Sequence, residues 1–142
     1  MKLCGLPGNA GHPWCAACQS EIHDKAGLPA PKSGRVVDWF NQNVVWLKRF
    51  GEVPAGFDVR GMVGALYYRH LGRYGHIVLI IGEDKNNYYC YEGNTNIKGS
   101  REGDGFYRTM RSKESISALA DYCLNGKLFF EKYDSYLQKV MK

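Results

Sequence analysis

The chain has 142 residues and a formal net charge of +5, with 44% hydrophobic and 23% charged residues, the balance of one folded, soluble domain with a continuous core rather than of a disordered segment. No apolar run approaches the roughly 20 residues that a membrane-spanning helix needs, and the first residues, Met1 to Gly11, lack the apolar centre of a secretory signal. The positive charge is scattered among acidic residues without a basic stripe, so a nucleic-acid partner is not expected and the charge reads as a solvated surface.

In chain order, the first ten residues contain Gly and Pro and form no expected element. Pro13 to Gly27 then reads as a helix: Pro13 suits a first turn, where a missing N–H costs nothing, and Gly27 offers a stop. Leu28-Pro29-Ala30-Pro31 is a stiff connector. Ser33 reads as the N-cap of a second helix whose buried face is Val36, Val37, Phe40 and Val44, and Gly51 to Gly61 reads as loop. From Met62 the pattern changes to strands at Met62–Tyr68, Gly75–Gly82 and Tyr88–Glu92, with Glu83-Asp84-Lys85-Asn86-Asn87 as the turn of an antiparallel hairpin. The run from His76 to Ile81 is apolar on both faces, as a central strand is. A further strand is expected near Phe106–Met110. Ser112 then reads as the cap of a helix carrying Ile116, Leu119, Ala120 and Cys123 and ending at Asn125-Gly126, and 127–142 as a last helix. Helices followed by an antiparallel sheet make an α+β order.

Five cysteines, odd in number and irregular in spacing, argue against a disulfide framework and fit synthesis in a reducing cytosol. Cys15 differs from the others by its position. A thiol in the first turn of a helix sits over unpaired backbone N–H groups and the positive end of the helix dipole, which favour thiolate. Cys15 is therefore the candidate nucleophile. Such a nucleophile needs a base and the base an orienting group. His76 opens the central strand, and Glu92 and Asn94 stand two apart on the next strand, which the hairpin brings back beside it. Either Glu92 or Asn94 can hold the second imidazole nitrogen. Among the other histidines, His12 is a rival base, His23 is expected on the helix surface and His70 in a loop. Cys4, Cys18, Cys90 and Cys123 read as structural, and the tyrosines of the strands as sheet packing or the lining of a groove.

The blocks Pro13-Trp14-Cys15-Ala16-Ala17, Gly75-His76-Ile77-Val78 and Glu92-Gly93-Asn94-Thr95 resemble, in order and spacing, the signature blocks of the CHAP family, the cysteine, histidine-dependent amidohydrolases/peptidases. The resemblance spans about residues 11–123 of a single domain over 1–142, with 127–142 a C-terminal helical extension. It implies a papain-like fold, N-terminal helices packed on a central antiparallel sheet, and cleavage of amide bonds in bacterial peptidoglycan, as in phage endolysins and wall hydrolases. Cys15 would attack the carbonyl, His76 relay the proton, and Glu92 and Asn94 complete a tetrad; Asn9 is a candidate second oxyanion donor. Cys18 stands where the family commonly has an aromatic residue. The acidic calcium-binding cluster of some members has no counterpart, so neither metal nor cofactor is expected. Without an export signal of its own, the enzyme would reach the wall after release or through a separate apparatus.

Three other readings stand beside this one. Trp14-Cys15-Ala16-Ala17-Cys18 also matches the Trp-Cys-x-x-Cys of thioredoxin-like oxidoreductases, but that motif follows a long buried strand and Met1–His12 does not supply one. A zinc site from His12, Cys15, Cys18 and His23 lacks a second ligand pair at finger spacing. The other alternative is a wall-binding module without catalysis. No membrane partner is expected, and the sequence leaves oligomeric state and the identity of the cleaved amide open.

Overall fold

The computed structural model describes residues 15–28, 30–95 and 105–123. The expected helix over 127–142, its predecessor's stop at Asn125-Gly126, and the candidates Asn9 and His12 lie outside the described residues. Among those residues the chain forms one α-helix, three short 3-10 helices and a six-stranded sheet, in an α+β arrangement. The helix α1 runs Cys15–Lys25. Gly27 adopts φ +72°, and Leu28 N donates to His23 O at 2.9 Å, the left-handed stop expected of a glycine there.

Strands β1 (Val44–Leu47), β2 (Val63–Tyr68), β3 (Arg73–Glu83), β4 (Asn87–Thr95), β5 (Gly105–Ser112) and β6 (Ala118–Ala120) form a sheet in the order β1-β6-β2-β3-β4-β5, antiparallel throughout among the described residues. The expected β3–β4 hairpin is present. Its turn is held by Asp84, whose Oδ1 accepts from Asn86 N at 2.9 Å and Asn87 N at 2.8 Å, while Tyr89 OH donates to Oδ2 at 2.6 Å.

Strand alternation divides the core in two. Ile77 and Leu79 of β3, with Val63, Tyr91 and Ala120, meet Ala16 and Ile22 of α1 and Val36 and Trp39. Val78 and Ile80, with Met62, Leu66, Tyr88 and Cys90, form a second cluster with Trp46, Ile116 and Leu119. A central strand covered on both sides must be apolar at successive positions, which is why His76 to Ile81 lacks alternation.

Three expectations are corrected. The second helix is a 3-10 turn over Val36–Phe40 with Arg35 at its N-cap position; Ser33 instead accepts from Arg35 N at 3.0 Å and donates to Asp38 at 2.6 Å. Its buried residues are Val36 and Trp39, three apart, and Val44 begins β1. The helix expected after Ser112 is a single 3-10 turn, Lys113–Ser115, followed by β6. Ala118, Leu119 and Ala120 are all buried because β6 lies inside the sheet between β1 and β2, with Ala120 in the α1-side core and Leu119 in the other. Finally, His23 is not on the surface but fully buried, its ring edge-on to Trp39 at 4.9 Å and to Tyr122 at 6.2 Å. Its Nδ1–H donates to Gln19 O at 2.8 Å, and burial pushes its pKa down to about 4, so it stays neutral.

Gly75 has a steric task. The register runs Leu66↔His76 and then Tyr67↔Tyr74, so Gly75 is an extra residue in β3, and a Cβ there would lie 2.3 Å from Cδ2 of Tyr68. Gly75→Ala is expected to cost about 1–3 kcal/mol as the Tyr68 ring is displaced, read from urea unfolding. By the same measurement Leu119→Ala should cost about 2–5 kcal/mol, while Met110→Ala, at an exposed position, should stay within about 0.5 kcal/mol. A solvent-exposed residue 119 would give a far smaller loss.

Candidate active site

The sheet brings His76 and Glu92 together. Extending the pairing Leu79↔Tyr91 by one residue sets Glu92 against Val78, so Glu92 and His76 share a side of the sheet two residues apart. His76 Nε2 lies 2.7 Å from Glu92 Oε1, and both side chains are fully buried. Two residues of β5 complete the cluster. Arg111 donates from Nε to Oε2 at 2.9 Å and from Nη2 to Oε1 at 2.5 Å, a two-point grip, and Thr109 Oγ1 donates to Oε2.

Neither Thr109 nor Arg111 is a candidate from the sequence. The signal was present in weak form: they alternate on β5, where Thr109 pairs with Cys90 and Arg111 with Tyr88, so both fall on the Glu92 side. Without knowledge of the β4–β5 register, an arginine in a mixed strand reads as a solvated charge.

The electrostatics follow from these contacts. Burial pushes the Glu92 carboxyl upward, but the hydrogen bonds from Arg111 and His76 and the arginine's positive charge outweigh it and hold the group at about 2. Glu92 is therefore a carboxylate, which only accepts hydrogen bonds. Nε2 of His76 must then carry the proton, and in the neutral ring Nδ1 holds the lone pair. The imidazole is presented as a base at Nδ1, with its tautomer fixed from behind.

The described part of α1 begins at Cys15, which the sequence places in the first turn of a helix; its side chain, and those of Cys18 and Asn94, lie outside the described residues. Asn94 lies on β4, but the register with β5 shifts between Gly93 and Thr95, which interrupts the two-residue alternation behind its expected shared face with Glu92. Helix α1 docks on the Ile77 and Leu79 side, where Gln19 Nε2 donates to Tyr91 O at 3.4 Å. His76 pairs with Leu66, on the opposite side. Of the other thiols, Cys90 and Cys123 are free and buried. Burial pushes Cys90 upward, with the Glu92 charge adding to it, and Cys123 up to about 12, so both stay protonated and unreactive. His70 lies in the turn after β2, stacked on Tyr68 at 5.6 Å. The strand tyrosines mostly pack the sheet, Tyr88 and Tyr91 being buried in its two cores. Among the described residues no three His, Cys, Asp or Glu side chains converge as a metal site.

No family model and no curated protein matches the chain. Among solved structures, it is similar to the crystal structure of Ly7917, at 15% identity and a TM-score of 0.44 over 78% of this chain and 54% of that one. A second crystal structure, of Ly7917 with the hydrolyzing product of MDP, aligns at 15% identity and a TM-score of 0.42, covering 79% and 55%. The chain thus spans about half the length of these structures.

The carboxylate makes stability depend on pH. A carboxyl held at about 2 when folded and ordinarily near 4.3 when unfolded contributes its full stabilisation above the unfolded value and loses it as pH falls toward the folded one. Urea unfolding between about pH 5 and pH 2 should show a loss on the order of 3 kcal/mol through this group. Glu92→Gln should be less stable at pH 7 and flatten that slope, and an unchanged slope would mean that the carboxyl is not held ionised.

Proposed function

We propose that the protein is a cysteine-dependent hydrolase of papain-like type that cleaves amide bonds of bacterial peptidoglycan through a thioester. The observation that carries this is the fixed imidazole: His76, with Nε2–H held 2.7 Å from an ionised, buried carboxylate, is poised to exchange a proton at Nδ1. The substrate class rests on the resemblance of the Cys15, His76 and Glu92 blocks to the CHAP family.

In this reading Nδ1 takes the proton of the Cys15 thiol, and the thiolate attacks the scissile carbonyl carbon. The backbone N–H of Cys15, at the open end of α1, donates to the resulting oxyanion. As the tetrahedral adduct collapses, the C–N bond breaks and imidazolium at His76 protonates the departing amine. Water, deprotonated at Nδ1, then attacks the thioester carbonyl, and the sulfur leaves to regenerate the thiol. Glu92 orients the ring and balances its charge at both imidazolium stages, and Asn94 is kept as the fourth member. The enzyme would act on the wall after release or translocation.

Catalysis makes one geometric demand. Helix α1 rests on the Ile77 side of β3 and His76 stands on the Leu66 side, so the Cys15 sulfur must reach the imidazole around the irregular stretch at Gly75.

Both parts are testable. Purified protein incubated with peptidoglycan should release new amino groups, and Cys15→Ala or His76→Ala should lower the rate at least about a thousandfold, whereas Cys18→Ser should leave it near wild type. Alkylation of Cys15 by iodoacetamide, followed against pH, should slow near neutral pH in His76→Ala, which lacks the base that takes the thiol's proton. Wild-type release no faster than Cys15→Ala would favour a binding module instead, and a Cys15 profile indifferent to His76 would break the pair.

A further inference from the structure

Glu92 Oε1 is shared. It receives both the His76 Nε2–H at 2.7 Å and the Arg111 Nη2–H at 2.5 Å, while Oε2 takes Arg111 Nε at 2.9 Å and the Thr109 hydroxyl. Imidazole and guanidinium are therefore neighbours across one oxygen atom, and the carboxylate cannot turn toward one without loosening from the other.

We propose that Arg111 is a positioning residue for His76: its two-point grip fixes the plane of Glu92, so that Oε1 aims at Nε2, and its positive charge keeps the neutral imidazole, with the lone pair on Nδ1, as the resting form. This deepens the hydrolase reading and rests on it for its catalytic meaning, though its physical content does not depend on turnover.

A buried carboxylate with a histidine as its sole cationic partner draws a second proton onto the ring, because imidazolium–carboxylate is the better pair in low dielectric. Arg111 removes that pull. It is permanently charged and already neutralises Glu92, so adding imidazolium would place a second cation beside one anion. The arginine is itself largely buried, with its side chain 16% exposed, so its charge acts on Glu92 with little screening by water. Among the described residues, the register also sets Tyr88 and Cys90 of β4 and Tyr107 of β5 on this side, and Tyr68 of β2, with His70 stacked on it, packs there; burial keeps Tyr88 and Cys90 protonated near pH 7. Helix α1 packs on the other side of β3, and His23, its buried base, is held there by Trp39 and Tyr122. Among the described residues, Arg111 is the permanent cation that hydrogen-bonds both oxygens of Glu92.

The test is nitrogen-15 NMR of His76 in the full-length protein, which reports tautomer and protonation without substrate. In wild type, below and at pH 7, the neutral ring should be protonated at Nε2 and bare at Nδ1; the opposite tautomer overturns the proposal. In Arg111→Met the His76 titration midpoint should rise by about one pH unit or more. Arg111→Lys, which keeps charge but loses the fork, should restore most of it. Should Arg111→Met not fold, Arg111→Gln carries the same expectation, because it retains a donor and removes the charge. A midpoint unmoved in the charge-removing variants, or moved equally by Arg111→Lys, overturns the proposal. Peptidoglycan cleavage measured alongside separates the two ideas. Loss of activity in Cys15→Ala with no NMR shift in the arginine variants sinks this inference and leaves the hydrolase. An NMR shift with no Cys15-dependent cleavage sinks the hydrolase and leaves the arginine's effect on the ring.

Discussion

The sheet is built around a carboxylate buried to zero exposure at Glu92. Taking such a charge out of water costs several kcal/mol even after the protein relaxes. The cost is offset because both oxygens are fully engaged, by His76 from β3 and by Thr109 and Arg111 from β5. Three strands must lie in one register for that to happen. A slip of β4 by one residue would turn Glu92 to the α1 side among Ile77 and Leu79, where an unpaired carboxylate would meet apolar side chains. The ion cluster therefore selects the register as well as forming the candidate site.

The irregularities of the sheet serve the same geometry. Tyr74 packs with the α1-side cluster, as Ile77 does, although the two are three residues apart. The extra residue Gly75 reconciles them and leaves His76 opposite Leu66 on the far side. Because Gly75 lacks a Cβ, the Tyr68 ring lies against its backbone immediately before the histidine. Bulge, glycine and aromatic ring thus set the entry of His76 into the strand. From there regular alternation carries Val78 and Ile80 into the second core.

Much of this was legible in the residues. The helix at Cys15 and its stop at Gly27, the three strands from Met62 and the hairpin at Asp84 follow local rules of capping, turn chemistry and apolar runs. The meeting of His76 and Glu92 follows once the hairpin is granted. What escaped depends on distant partners. Ile116, Leu119, Ala120 and Cys123 fit a helical stripe because a three-residue strand buried on both sides needs no alternation to betray it. His23 looked like a surface residue because Trp39 and Tyr122, which enclose it, come from separate parts of the chain. Arg111 was invisible for the same reason, since only the β4–β5 register turns a charged strand residue into a partner for a buried acid.

The sequence offers two groups able to orient the histidine, an acid at 92 and an amide at 94, and their chemistry is not equivalent. An amide both donates and accepts, so it can satisfy either imidazole tautomer by rotating half a turn. A carboxylate held ionised only accepts, and so commits the ring to one tautomer. By placing the acid against Nε2 the fold makes that commitment, and with Arg111 on the same oxygen it does so without drawing the ring into permanent protonation. The register shift beside Asn94 frees that residue from the strict alternation that ties Glu92 to His76. A device that must give and take a proton at one nitrogen in every cycle needs the other nitrogen decided in advance, and a braced carboxylate decides it where an amide would leave it to its surroundings.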